Sequence, residues 1–419
     1  MLEETTHPVP QQPEPITNPR FNFMASISDP DTHRTLGLIR EETPVFYDPQ
    51  MNMWAVTRYQ DQVALLRDHK RFSSVNAMHR TGVYPPDVLE ILSTARAHAV
   101  NMFNADPPEH SRLRAFAHKA FTPRRVAVLE EAVRAMVHEL VDAFADQGQA
   151  DLIGQLTYPL PMRVICRLIG VPDADADRVK VWCDNRMAML LGNQPHERML
   201  ELAHSEVAYL GYMGALVDQR TAAPQDDLTS DLVHAVLAGE QQLSRAEVVA
   251  TLSGLVVGGY ETTVNAMGNL LYNLLREPER WQAILDDPAL IPGVVEENMR
   301  YDGAGVGIFR RALEDVTLSG VTIPAGALVA VLFAAANHDP RQFPDPDTFD
   351  LHRENAKQHL GFGQGIHYCI GAPLARLEMA LAVEILRERL PALRLAPADA
   401  MRYRRSITRG PEYLRVVWD

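Results

Sequence analysis

The run Phe362-Gly363-Gln364-Gly365-Ile366-His367-Tyr368-Cys369-Ile370-Gly371 constrains this chain more than any other stretch. Gly363, Gly365 and Gly371 hold the backbone open around one cysteine, and a helical pattern follows directly, from about Ala372 to Leu390. A thiol at a helix N-terminus has its pKa lowered by the dipole and by free amide donors, so its thiolate is a metal ligand or a nucleophile. A plain buried cysteine in a glycine-rich turn fits the same letters. Zinc does not, because no second Cys or His pair stands nearby at ligand spacing. With Cys166 and Cys183 the chain has three scattered thiols, too few for a disulfide framework and suited to a reducing compartment.

A second constraint lies upstream. Ser244 and Glu247 form a capping box, and the helical pattern continues to about Arg276, before Pro278. Such a helix is roughly 45 to 50 Å long at about 1.5 Å per residue. In its middle stand Gly258 and Gly259, each costing about 1 kcal/mol relative to alanine. Either something approaches the backbone there, or the helix is distorted, or helices pack through small residues. Glu261 and Thr262 add an acid and a hydroxyl beside the gap, a pair suited to relaying protons.

Two further patterns are weaker alone. Glu297 and Arg300 share a helix face, usually the mark of a surface bridge worth less than about 1 kcal/mol. Asp106-Pro107-Pro108-Glu109 reads as a helix start with a capping aspartate, after which His110 and Arg114 fall on one face and could hold an anion.

Around these the chain reads as mainly helical from Asp106 to Leu285, with strands near Pro44 to Tyr47 and Met53 to Arg58. A second β region covers Val316 to Leu332 about the turn Pro324-Ala325-Gly326, and a proline-rich meander follows from Asn337 to Phe349. The expected fold class is therefore mainly α with a small antiparallel β portion. Residues 1–20, acidic and proline-rich, read as a flexible leader, and residues 21–419 as one domain. Hydrophobic residues make up 46% and charged residues 22%, a globular composition. With 40 basic against 54 acidic residues the net charge is −14, which excludes a nucleic-acid binder unless a basic patch is segregated. The one long apolar stretch, Val248 to Leu275, is broken by Gly258, Gly259, Glu261 and asparagines, and suits a buried helix better than a membrane span. No signal peptide opens the chain, so a cytoplasmic location is expected.

Taken together and in order, these motifs closely resemble the soluble bacterial cytochromes P-450, the haem-thiolate monooxygenases, from about residue 20 onward. The family's haem-binding pattern is met by Phe362, Gly365, His367, Cys369 and Gly371. Its Glu-x-x-Arg pair is met by Glu297 and Arg300, its oxygen-activating motif by Gly258 to Thr262, and its early His-x-x-x-Arg pair by His110 and Arg114. Gln364, Gly258 and His338 depart from the commonest residues, none of them at a ligand or catalytic position.

The resemblance implies the cytochrome P-450 fold, with haem b between the long central helix and the cysteine loop. Cys369 would be the axial thiolate ligand, with Gly258, Phe362, Gly365 and Gly371 against the cofactor. His110, Arg114, Arg310 and His367 would hold its propionates, with Arg311 a rival to Arg310. Glu297, Arg300 and Arg353 would form a buried structural network. Thr262 would hydrogen-bond the oxygen being activated, and Glu261 would deliver protons. By the same analogy Val100, Leu190, Leu191, Leu255, Val306, Ile308 and Ile407 would line the substrate pocket, favouring an apolar or aromatic small molecule.

The implied reaction inserts one atom of O2 into that molecule. Electrons would come from a separate ferredoxin and an NAD(P)H-dependent ferredoxin reductase, since the chain ends at Asp419 with no redox domain attached. A peroxide-driven or otherwise atypical haem-thiolate oxidase is one alternative, and a haem protein that only binds gas or carries electrons is another. An acid–hydroxyl pair beside the glycine gap argues against both. Finally, Arg112, Arg114, Lys119, Arg124 and Arg125 form a basic run in an acidic chain, the expected dock for an acidic electron donor.

Overall fold

The computed structural model describes residues 15–23, 29, 32–75, 77, 84–95, 101–118, 121, 123–191, 194–239, 243–397, 401–404 and 408–419, with backbone only at 123, 124 and 191. In chain order its helices are α1 (Thr32–Glu42), α2 (Tyr59–Arg67), α3 (Pro86–Thr94), α4 (Glu109–His118), α5 (Pro123–Asp142), α6 (Pro159–Ile169), α7 (Ala176–Leu191), α8 (His196–Ala222) and α9 (Leu228–Leu237). There follow α10 (Arg245–Leu275), α11 (Pro278–Asp286), α12 (Ile291–Tyr301), α13 (Phe333–Ala336) and α14 (Ala372–Arg389). The strands are β1 (Val45–Asp48), β2 (Met53–Val56), β3 (Phe72–Ser73), β4 (Gln149–Asp151), β5 (Ile308–Ala312), β6 (Val316–Leu318), β7 (Val321–Ile323), β8 (Leu328–Val331), β9 (Arg394–Leu395) and β10 (Arg415–Val417).

The 31-residue α10 is the axis. Its first turn is tied off as the sequence predicts: Ser244 N–H donates to Glu247 Oε2 at 2.8 Å, and Glu247 N–H donates to Ser244 Oγ at 3.3 Å. Leu252, Val256, Val264, Met267, Leu271 and Leu274 are buried in the main apolar core, which also takes in residues of α4, α5, α6 and α14. The helix runs unbroken through Gly258 and Gly259. Gly259 serves packing, since a Cβ there would come within 3.2 Å of Ile165 Cδ1 on α6.

A five-stranded sheet in the order β1-β2-β8-β5-β3 forms a separate layer. All its pairings are antiparallel except β2 with β8, where Trp54 pairs with Val329 and Val56 with Val331. Val45, Val56, Leu65, Phe72, Val329 and Phe343 build a second core beneath it. The strands β4-β10-β9 form a small sheet of their own. Residues 316–323 form a hairpin whose turn is Ser319-Gly320, both at positive φ (45° and 79°), the geometry that matches strand twist. The expected turn at Pro324-Ala325-Gly326 instead joins β7 to β8, strands of different sheets.

Two further expectations are corrected. The leader does not extend to residue 20: Thr17 bridges to Tyr47, Asn18 Nδ2 donates to Thr43 Oγ1 at 2.6 Å, and Arg20 pairs with Glu42. Asp106 does not cap α4 through its side chain. Its carboxylate accepts from Ser74 N–H at 2.9 Å and from the Ser73 hydroxyl, bolting the start of α4 to β3.

Glu297 and Arg300 are wholly buried and not a surface bridge. Arg300 donates Nε and Nη2 to the Glu297 carboxylate at 2.7 and 2.8 Å and Nη1 to the carbonyls of Asn337 and Pro346, both at 2.8 Å. Arg353 adds Nε to Glu297 Oε1 at 3.1 Å and Nη1 to the Pro344 carbonyl at 2.6 Å. Backbone carbonyls of a proline-rich segment have no ladder to join, so these guanidiniums supply the donors that fold it. His338 does similar work, contacting Asp347 Oδ1 at 2.7 Å and the Tyr301 carbonyl at 2.8 Å.

Candidate active site

The meander delivers the chain to the cysteine loop. Cys369 N–H donates to the Phe362 carbonyl at 2.8 Å and closes the loop, while Tyr368 N–H donates to the Gly365 carbonyl at 3.1 Å. At Gly365, φ is +71° and a Cβ would lie 2.4 Å from the Leu66 carbonyl oxygen, so only glycine fits. Beyond the cysteine, α14 begins at Ala372, and the amides of Gly371 and Ala372 are directed at the sulfur. Burial pushes the Cys369 thiol up, while those amides and the guanidiniums of Arg114 and Arg376 pull it down. Burial drives Cys166 up to about 12, and Cys183 higher still although Arg186 and the Tyr209 hydroxyl pull it down. Among the described residues, no group of three or more His, Cys, Asp or Glu side chains could cage a metal ion.

Four basic side chains converge beside this loop. Helix α4 presents His110 and Arg114, β5 presents Arg310, and the loop itself presents His367. The two imidazoles lie 4.1 Å apart, His367 Nε2 is 2.9 Å from Ser74 Oγ, and Arg114 Nη2 donates to the Tyr368 carbonyl at 2.6 Å. Arg310 is buried and donates to its neighbour, the Phe309 carbonyl, at 2.7 Å, with no carboxylate at salt-bridge distance among the described residues. His110 Nε2 is buried without a partner among them. Burial, with neighbouring cations, lowers His110 to about 4 and His367 to about 2, and burial lowers Arg310 to about 10 against the pull of Asp106. Asp106 offsets part of the charge at Arg310 without pairing with it, and a buried guanidinium left so costs several kcal/mol, so the cluster calls for a further anion. Haem propionates satisfy that requirement, and the residues present fit the group. Arg311 plays no part, because its guanidinium turns outward to the Gly326 carbonyl at 2.7 Å.

Opposite these elements stands α10. Past its first residue it exposes only Gly258 and Thr262, one turn apart on a single face, between buried Val256, Tyr260, Glu261 and Thr263. A helix enclosed elsewhere shows such a strip where it borders open space. Thr262 Oγ1 donates to the Gly258 carbonyl at 2.7 Å. Phe103, 42% exposed, lies over the same face, and Cβ atoms on Gly254 and Gly258 would stand 2.8 and 3.7 Å from its ring. Glu261 points elsewhere: its Oε1 accepts from Thr408 Oγ1 at 2.8 Å, and Thr408 Oγ1 accepts from Asn265 Nδ2 at 2.7 Å. Acid and hydroxyl thus share a helical turn without meeting.

Of the expected pocket residues, Leu190 and Ile308 are half-buried, whereas Leu255 and Val306 are buried within apolar clusters. Val100 and Ile407 lie outside the described residues, as does the side chain of Leu191. Phe103 and Thr408 were not legible as site residues. The only hint was that Phe103 closely precedes the Asp106 helix start. Of the expected docking run, Arg112 pairs with Glu247 and Arg125 with Asp231, each arginine about a third exposed, while Arg114 faces the loop. Lys119 and the Arg124 side chain lie outside the described residues.

This geometry has relatives. The family profile Cytochrome P-450 matches residues 178–287 and 285–389. The chain is 44% identical over 372 residues to mycinamicin IV hydroxylase/epoxidase from Micromonospora griseorubida, covering 87% of this chain and 89% of that protein. It belongs to the cytochrome P-450 family. This cytochrome P-450 is also 39% identical to nocardicin C N-oxygenase from Nocardia uniformis subsp. tsuyamanensis, over 87% of its own length and 89% of that protein's. Among solved structures it superposes on cytochrome P-450 CREJ in complex with (4-ethylphenyl) dihydrogen phosphate with a TM-score of 0.89, at 37% identity, covering 93% of this chain and 97% of that one. The fold is the cytochrome P-450 fold, and the enzyme is a monooxygenase of that family, using haem and dioxygen. No helix among the described residues is long and apolar enough to cross a membrane.

Proposed function

We propose that this cytochrome P-450 holds haem b with the Cys369 thiolate as its only protein ligand to iron and inserts one oxygen atom into a small, largely apolar or aromatic organic molecule. The observation that carries the reading is the set His110, Arg114, Arg310 and His367 beside the cysteine loop, in which His110 and Arg310 are buried and Arg310 pairs with no carboxylate among the described residues. Those four side chains anchor the propionates and so fix the ring against the loop. Bound haem supplies oxygen activation, which a thiolate ligand favours by pushing electron density toward O–O cleavage. Across the ring, Gly258 leaves room at the helix face and Thr262 presents its hydroxyl to that space. Glu261 is the proton source of the same turn once its carboxylate leaves Thr408, and such a relay is a need of dioxygen chemistry more than of peroxide use. Phe103, Leu190 and Ile308 give the substrate side its apolar character. The hydroxylase, epoxidase and N-oxygenase names of the relatives support oxygen insertion as the reaction class. Electrons come from a separate ferredoxin and an NAD(P)H-dependent reductase, in the cytoplasm.

Turnover with isotopically labelled dioxygen tests this reading. With a supporting ferredoxin and reductase, products from a panel of apolar small molecules should each carry one labelled oxygen atom. Product formed only with added peroxide, or unlabelled product, contradicts it.

A further inference from the structure

A second buried ion pair lies beside the cysteine loop, separate from the Glu297 network. Glu296 and Glu297 are neighbours on α12, yet Glu297 serves the meander while Glu296 reaches α14. There Arg376 donates Nε to Glu296 Oε1 and Nη2 to Oε2, the latter at 3.0 Å. The same guanidinium grips both ends of the loop. Its Nη1 donates to Tyr368 Oη at 3.2 Å, beside the cysteine, and its centre lies 4.5 Å from the Phe362 ring, where the loop begins. On the far side of the carboxylate, His359 Nε2 is 3.2 Å from Glu296 Oε2, and His359 Nδ1 accepts from Gly361 N–H at 3.0 Å. An Nδ1 that accepts fixes the neutral tautomer, so Nε2 donates to Glu296. Glu296 is 5% and Arg376 31% exposed, so the pair is only partly screened by solvent. It is also oriented, with the cation against Phe362 and Tyr368 and the anion turned toward His359.

We infer that the Glu296–Arg376 pair is a positioning and tuning element for the Cys369 thiolate, its positive end set on the loop residues Phe362 and Tyr368 that flank the cysteine, so that it biases how readily the iron is reduced. This rests on the haem-thiolate reading above. Reduction adds one electron to the iron–sulfur unit, and a nearby cation stabilises the added charge while a nearby anion opposes it. Removing Arg376 charge therefore favours the ferric form, and removing Glu296 charge favours the ferrous form. A purely structural brace gives no such opposition of sign, because losing either partner loosens the same loop.

The test is a spectroelectrochemical titration of the haem-loaded enzyme and its Arg376→Gln, Glu296→Gln, Arg376→Lys and Tyr368→Phe variants. At one fixed electrode potential, the ferrous-to-ferric ratio should fall in Arg376→Gln and rise in Glu296→Gln, each by a factor of about three to ten for a partly screened unit charge. Arg376→Lys and Tyr368→Phe keep the charge and should stay within about twofold of wild type. Shifts of the same sign in the two glutamine variants, or no shift in either, overturn the inference. Should Arg376→Gln not load haem, Glu296→Gln and Arg376→Lys decide: a ratio that fails to rise in the first, or falls strongly in the second, overturns it equally. The two readings fail separately. A wild-type ferrous carbon monoxide complex without the red-shifted Soret band removes the thiolate assignment, whereas a normal band with unmoved ratios removes only the tuning role.

Discussion

At the scale of single residues, identical letters do different work according to what stands beside them. Gly258 and Gly259 are adjacent, but Gly259 lets α10 close on Ile165, whereas Gly258 sits on the exposed strip with Thr262. Both readings of the glycine pair were legible in the sequence, but their assignment to positions needed the phase of the helix. Thr262→Ala removes the hydroxyl from that strip without touching the apolar lining. The substrate-induced spectral shift should stay near wild type while reducing equivalents are diverted to hydrogen peroxide. Unchanged product per NAD(P)H consumed contradicts the role given to Thr262. Gly365→Ala forces a Cβ toward the Leu66 carbonyl at a left-handed φ, a strain of about 1–3 kcal/mol or more. Haem content of the purified variant should drop, whereas wild-type content excludes the close approach as a constraint.

Elements follow local signals wherever a local signal decides them. The capping box and the length of α10 were readable because Ser244, Glu247 and Pro278 act within a turn of the helix ends. The side chain of Asp106 was misread because its partners are Ser73 and Ser74, more than thirty residues upstream, and nothing in the local pattern competes visibly with capping. Likewise the spacing of Glu297 and Arg300 shows a shared face but not that the face is buried under the meander. That burial has an energetic consequence. Breaking one partner of a buried charge network costs about 3–5 kcal/mol, so Glu297→Ala and Arg300→Ala should yield little folded, haem-loaded protein. Thermal unfolding of whatever is recovered checks this, and a melting temperature equal to wild type returns the pair to a surface role.

For the whole molecule, haem is part of the electrostatic balance of the fold. A chain of net charge −14 nevertheless gathers His110, Arg114, Arg310 and His367 beside one loop, with Arg310 buried and only partly offset by Asp106. Arg310→Met should therefore leave the apoprotein as stable as wild type or more so, while haem leaves the holoprotein faster. Apoprotein melting and haem transfer to an acceptor protein read the two effects independently. Loss of apoprotein stability contradicts the partly offset charge. Family and chemistry were legible in the sequence because the motifs are local and ordered. Phe103 and Thr408 were not, because their roles depend on segments that meet α10 only in the folded chain.

One measurement bears most directly on the central claim, that Cys369 is the protein's ligand to haem iron. It is the ferrous carbon monoxide spectrum of wild type beside Cys369→His, with Cys166→Ser and Cys183→Ser as references. Wild type and both serine variants should show the red-shifted Soret band of a thiolate-ligated haem, and Cys369→His should lose it together with most turnover. A red-shifted band that survives Cys369→His, or vanishes with Cys166 or Cys183, contradicts the assignment.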